Sequence, residues 1–245
     1  MIKMIKLHFY YLFSWKVVYV SLIIVLISTI IFLTFSKFYL DYDLLIFNSK
    51  YYREGYYFES INYLKIVIVL YNMFLVINAF ILNKYDVFLL ARRTRFEVIS
   101  SKVLVLIIIS SILTIMLYLI FLVTGQFLTP FMNISNTDMA ILGDLIIFSV
   151  IYLLLFISLY FYGKGLYSLL IIVVGYFISD IAIDYYEPRN SVNILSKIIN
   201  FVFVNIGYYE DIGYSLYYGK IWGIILIIIL FQLIIFRYLK TDIEN

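Results

Sequence analysis

Lys84, Arg92, Arg93, Arg95 and Lys102 put five positive charges into residues 84–102, KYDVFLLARRTRFEVISSK, between two apolar runs that can each cross a bilayer. The chemistry open to such a cluster is electrostatic recognition rather than bond-making. Its arginines can meet the acidic groove of a partner protein or the phosphates of anionic lipid headgroups. At the centre of a membrane helix each charge would cost roughly 2.5–3.5 kcal/mol on the insertion scale. The stretch therefore belongs in water or at the interface.

Little else in the chain can do chemistry. His8 is the single histidine and there is no cysteine, so thiolate sites and disulfides are excluded, and a zinc or di-iron site lacks its ligands. A Ser-His-Asp arrangement would have to recruit the same histidine. No G-x-x-x-x-G-K-[ST] stretch occurs, so no phosphate-binding loop and no nucleotide site of its own is expected. Asp180 is the one acidic candidate within an apolar run, near its outer end, where a carboxylate stays hydrated. Asn72 and Asn78 are read as hydrogen-bonding a neighbouring helix. Gly219 and Gly223 are spaced for close helix packing.

The elements that position these residues follow from composition. Of 245 residues, 65% are hydrophobic and 13% charged, where a soluble domain carries about 25%. The chain reads as an all-α integral membrane protein, a single transmembrane domain over residues 1–245. Six spans are predicted, at about 17–36, 66–83, 103–124, 145–162, 166–183 and 221–236. Residues 37–65 read as a polar loop, with helical ends as an option. Residues 1–16 read as an interfacial helix with Lys3, Lys6, Tyr10 and Ser14 on one stripe and Met4, Ile5, Leu12 and Trp15 opposite, or equally as an ordinary basic flank of the first span. A short amphipathic helix is expected within 190–206, on the outer side before the last span. The 26 tyrosines and 22 phenylalanines are attributed to a low-GC bacterial genome.

Six spans put both termini on one side. Eleven basic residues fall on that side, against seven spread over longer segments on the other. The positive-inside rule then makes the termini and residues 84–102 cytoplasmic, in a bacterial cell membrane. With no ion relay and no nucleotide site, energy for any transport would arrive through a partner at the cytoplasmic face. On a continuous helix Tyr85, Phe88, Leu89, Phe96 and Ile99 share one face.

The whole chain resembles, in layout, the six-span permease subunits of ABC-2 type exporters. In that family an N-terminal elbow helix precedes the first span, a cytoplasmic coupling helix joins spans two and three, and short outer helices precede the sixth. Residues 1–16, 84–102 and 190–206 occupy those places. The local match is Asp86, the Leu89-Leu90 pair, the cluster Arg92, Arg93 and Arg95, then Lys102 opening the third span. Ala91 follows the leucine pair, where the family often has proline.

The resemblance implies a permease without catalytic residues, which moves a hydrophobic or amphipathic substrate, a peptide among the options, outward. ATP and Mg would be bound by separate cytoplasmic ABC ATPase subunits. Asp86, Leu89, Leu90, Arg92, Arg93, Arg95, Phe96 and Lys102 would form the docking element. A second permease copy or paralogue would complete the complex, with the bilayer as the other partner and no nucleic acid. The alternatives are a membrane scaffold or antimicrobial-peptide immunity factor without transport, and an intramembrane enzyme.

Overall fold

A chain this apolar has to satisfy its backbone hydrogen bonds internally once it is in hydrocarbon, which leaves helices as the simplest solution. The computed structural model describes residues 2–46, 49–82, 94–128, 136–163, 167, 169–176 and 215–240. Among them the secondary structure is helical throughout. The elements are α1 (Ile2–Leu12), α2 (Trp15–Ile46), α3 (Ser49–Val76) running on into a π-helical turn (Ile77–Leu82), α4 (Arg95–Leu128), α5 (Asn136–Tyr162) and α6 (Ser215–Lys240). Residues 169–176 are also helical. No helix here contains proline, the residue that most often breaks one.

Among the described residues five helices are long and apolar enough to cross a membrane: Trp15–Phe38, Glu59–Leu82, Arg95–Gln126, Ile141–Tyr162 and Gly223–Lys240. They overlap five of the six predicted spans. Of the predicted span at 166–183, residues 169–176 are helical and 177–183 lie outside the described residues, as does the expected outer helix at 190–206. Over the stretch expected to be a polar loop with optional helical ends, residues 37–46 and 49–65 are helical, so helix takes up far more of it than its ends. α2 runs to Ile46 and α3 begins at Ser49. Gly55 is the sole strong helix breaker in that stretch, so two apolar helices extend through charged sequence.

Interhelical bonds fix the relative directions. Ser21 and Ser28 of α2 meet Tyr71 and Tyr63 of α3, at 2.8 and 3.1 Å, so the two helices are antiparallel. The Ser21 hydroxyl already donates to the Val17 carbonyl, which makes Tyr71 the donor of its pair. Tyr56 of α3 donates to the Phe121 carbonyl of α4 at 2.8 Å and lies 2.8 Å from Thr124 Oγ1. Asn72 and Phe80 of α3 meet Ser149 and Tyr160 of α5, so those two run parallel. α5 and α6 are also parallel, with Gly223 against Ile147 and the Phe161 ring 5.6 Å from Tyr238. The end of α5 and the start of α6 therefore lie at opposite ends of the bundle. The π-turn, the start of α4 and the ends of α5 and α6 share one end, and α1 joins them by preceding α2 and packing on α4.

α5 is the central helix, with two thirds of its apolar window buried, whereas α2 and α6 bury about one sixth of theirs. The outward faces of α2 (Leu22, Leu26, Ile30) and α6 (Ile225, Ile229, Leu233) are apolar and exposed, as lipid-facing surfaces are. Tyr56 is fully buried and its ring stacks on Phe121 at 5.2 Å. Tyr56→Phe keeps the stack and removes the hydroxyl that bonds across to α4, while Thr124 still donates to the Ile120 and Phe121 carbonyls within α4. Intramembrane hydrogen bonds average about 0.6 kcal/mol, so unfolding in detergent should show a loss of about 0.5–1.5 kcal/mol.

Candidate functional site

The end of α4 that carries the basic cluster is set by its cap. Thr94 accepts the Glu97 amide at its side-chain oxygen (3.4 Å), and its carbonyl accepts the Val98 amide (3.1 Å). Thr94-Arg95-Phe96-Glu97 has the S/T-x-x-E pattern of a capping box, and Glu97 in the first turn faces the positive end of the helix dipole. Residues 95–102 are therefore the opening turns of α4. That pattern was readable in the sequence and marks where the third span's helix begins.

The expected docking residues divide accordingly. Asp86, Leu89, Leu90, Arg92 and Arg93 lie outside the described residues. Arg95 is half-buried at the first position of α4 and Phe96 is 49% exposed, so both reach the surface. Lys102 does not. It is 0% exposed, and its ammonium lies 4.2 Å from the ring centroid of Phe80 in the π-turn. A buried ammonium is stabilised by facing an aromatic ring, by about 2 kcal/mol when desolvated. Lys102 thus belongs to the interior, two turns in from the cap.

α1 also differs from expectation in what covers it. Met4, His8 and Leu12 are buried, and Lys3, Lys6 and Tyr10 are exposed, as the stripes predict, while Ile5 and Ser14, expected on opposite sides, are both half-buried. The apolar side is packed on α4 rather than left open to lipid. Trp15, expected on that side, is 76% exposed at the start of α2 and pairs with Tyr19 at 6.0 Å.

The most complete polar constellation sits mid-bundle and had only Asn72 to announce it. Ser110 of α4 donates to Asn72 Oδ1, Ser149 of α5 lies within hydrogen-bond distance of Ser110, and Asn72 Nδ2 donates to the Ser149 carbonyl at 2.8 Å and reaches its hydroxyl at 3.5 Å. Because the one Ser110 proton is committed to Asn72, Ser149 supplies the proton between the two hydroxyls. The result is a closed ring, each member donating and accepting. All three residues are buried. The hydroxyl protons of the ring are both engaged within it, and the ring ties α3, α4 and α5 together. Asn78 is buried in the π-turn.

Lys65, Lys102 and Asp144 each precede a predicted span by one residue, yet each is buried within one of the five apolar helices. The spans are thus less free of ionisable groups than the sequence led us to expect. Among the described residues no three His, Cys, Asp or Glu side chains come together as metal ligands. Asp180 is outside them.

The chain matches no protein-family model, no curated protein and no solved structure. The fold and its apolar helices define the class: an all-helical protein with five described helices able to span a membrane.

Proposed function

We propose that this chain is the membrane-spanning permease subunit of an ATP-driven exporter, with ATP and Mg held by a separate cytoplasmic ATPase. The observation that carries the reading is where the basic stretch joins the bundle. Its residues 84–93 lie in sequence between Leu82, which ends the π-turn of α3, and Thr94, which caps α4, and those two ends share one end of the bundle with α1 and the ends of α5 and α6. Helix ends gathered in this way around a charged stretch are well placed to pass on a partner's motion. The layout agrees with the ABC-2 resemblance: a sixth crossing within 163–214 is favoured by the parallel course of α5 and α6, and basic residues collect at one end. On this reading that end is cytoplasmic, the membrane is a bacterial cell membrane, a second permease copy or paralogue completes the pathway, and the cargo is hydrophobic or amphipathic.

The test is the triple substitution Arg92→Ala, Arg93→Ala, Arg95→Ala. Each hydrogen-bonded charge pair lost from an interface costs about 2–5 kcal/mol. The variant should accumulate and unfold like the wild type, yet no longer co-purify an ATPase subunit or support nucleotide-dependent export from reconstituted vesicles. Unchanged export by this variant would sink the docking role. Movement of substrate by the chain alone, without nucleotide, would sink the ATP-driven reading altogether.

A further inference from the structure

The exit of α3 is unusual in a way the docking reading does not require. For six residues, Ile77–Leu82, the helix is π-helical, a form that is rare and is found mostly as single turns at functional places. The wider turn alters the carbonyl ladder, and the Phe80 carbonyl accepts a hydrogen bond from the Tyr160 hydroxyl of α5 at 3.3 Å. The side chain of the same residue is a meeting point. Its ring lies 5.5 Å from Tyr160 and 5.3 Å from Phe161, and Phe161 continues to Tyr238 of α6. From α4, Lys102 sets its ammonium over that ring.

Phe80 is two residues before Leu82, and Lys102 is two helical turns beyond Thr94. One contact therefore joins the two helix ends between which residues 83–94 are strung. A lysine at a span's end would ordinarily extend its ammonium toward water; this one is wholly buried. The attraction between an ammonium and an aromatic face depends on the ammonium lying over that face. Displacing α4 relative to the π-turn breaks it, and the adjoining rings present that displacement to α5 and α6.

We propose that Lys102 is a positioning residue: through the Phe80 ring it holds the exit of α3 and the start of α4 at a fixed separation, and passes movement there to α5 and α6. What moves those ends rests on the docking reading; that the contact fixes them does not. The chain has no cysteine, so spin labels can be placed directly on Leu82→Cys and Thr94→Cys, both exposed, in the full-length protein in lipid nanodiscs. Electron paramagnetic resonance should give one narrow distance peak for the otherwise unchanged chain. Lys102→Met, which keeps length and removes charge, should lose that peak. Lys102→Arg should restore it.

Phe80→Leu should lose the peak as Lys102→Met does, and the double variant should be no broader than either alone. The inference is overturned if Lys102→Met keeps the narrow peak, or if Lys102→Arg broadens as much as Lys102→Met, since packing alone would then explain the site. Should Lys102→Met fail to accumulate, Phe80→Leu is read by the same criterion, and a narrow peak there overturns the proposal. No ATPase enters the measurement. Loss of the peak without any ATPase association would leave the contact standing and remove the exporter; ATPase association with an unchanged peak would do the reverse.

Discussion

Gly223→Leu is expected to separate α5 from α6 and to leave little folded protein in the membrane. A Cβ at position 223 would fall 2.6 Å from Cγ2 of Ile147, well inside van der Waals contact. That methyl is carried on a β-branched carbon in mid-helix, where χ1 has essentially one rotamer, so it cannot swing aside. Over-packing of this kind costs about 1–3 kcal/mol for one added group, and a leucine adds three carbons beyond the Cβ. Gly223→Ala should therefore lower stability by about 1–3 kcal/mol on the same scale. Combined with Ile147→Leu, which removes the offending methyl at constant volume, the alanine should recover most of that loss. Denaturant unfolding in mixed micelles reads all of these, and a Gly223→Ala protein as stable as the wild type would remove the contact from consideration.

The second large effect is expected at the hydroxyl–amide ring. Asn72→Asp preserves shape almost atom for atom but strips both N–H donors from Ser149 and, if ionised, brings a charge near the middle of the Glu59–Leu82 span. Insertion scales put a central aspartate at roughly 2.5–3.5 kcal/mol, to which the broken ring adds its own loss. Asn72→Leu should be milder, about 1–2 kcal/mol, since Ser110 and Ser149 remain able to bond each other. Ser110→Ala and Ser149→Ala should cost about 0.6 kcal/mol each, near the average for intramembrane hydrogen bonds. The order aspartate, leucine, alanine in unfolding midpoint is the check. If aspartate proves as stable as leucine, the ring is solvated and not a dry tie.

How far the sequence could be read depended on what each signal averages over. Apolar length located five helices correctly because hydrocarbon thickness constrains a whole run of residues. Charge was a poorer guide to where helices begin. Lys65, Lys102 and Asp144 were read as markers of the water boundary, whereas a long side chain packed among helices can be buried within the bundle. The loop over 37–65 failed for a related reason: polarity says what solvates a segment, not whether it is helical, and helix breakers are nearly absent there.

Asn72 was read correctly as a tie between helices, but its partners could not be named, since Ser110 and Ser149 look like any serines until three helices are set in register. The tyrosines were set down to genome composition. Tyr56, Tyr63 and Tyr71 nevertheless each pair with a hydroxyl or carbonyl on a neighbouring helix. Composition explains why tyrosine is common and is silent on where it is used. Of the basic stretch, the fragment that the structure describes moved Lys102 from the surface to the interior and left Arg95 and Phe96 at the surface.

The spacing of Ser21 and Ser28 against Tyr71 and Tyr63 has a consequence for biosynthesis. Seven residues on one helix and eight on the other approximate the repeat at which two helices stay in contact along their length. The helices concerned are consecutive, with two residues between them. Their matching groups thus all precede α4 in the chain, and a protein emerging N-terminal first can organise as it emerges. The nascent chain can enter the membrane as a zipped α2–α3 hairpin whose hydroxyls are already spoken for, and each later helix then finds a preformed wall to pack on.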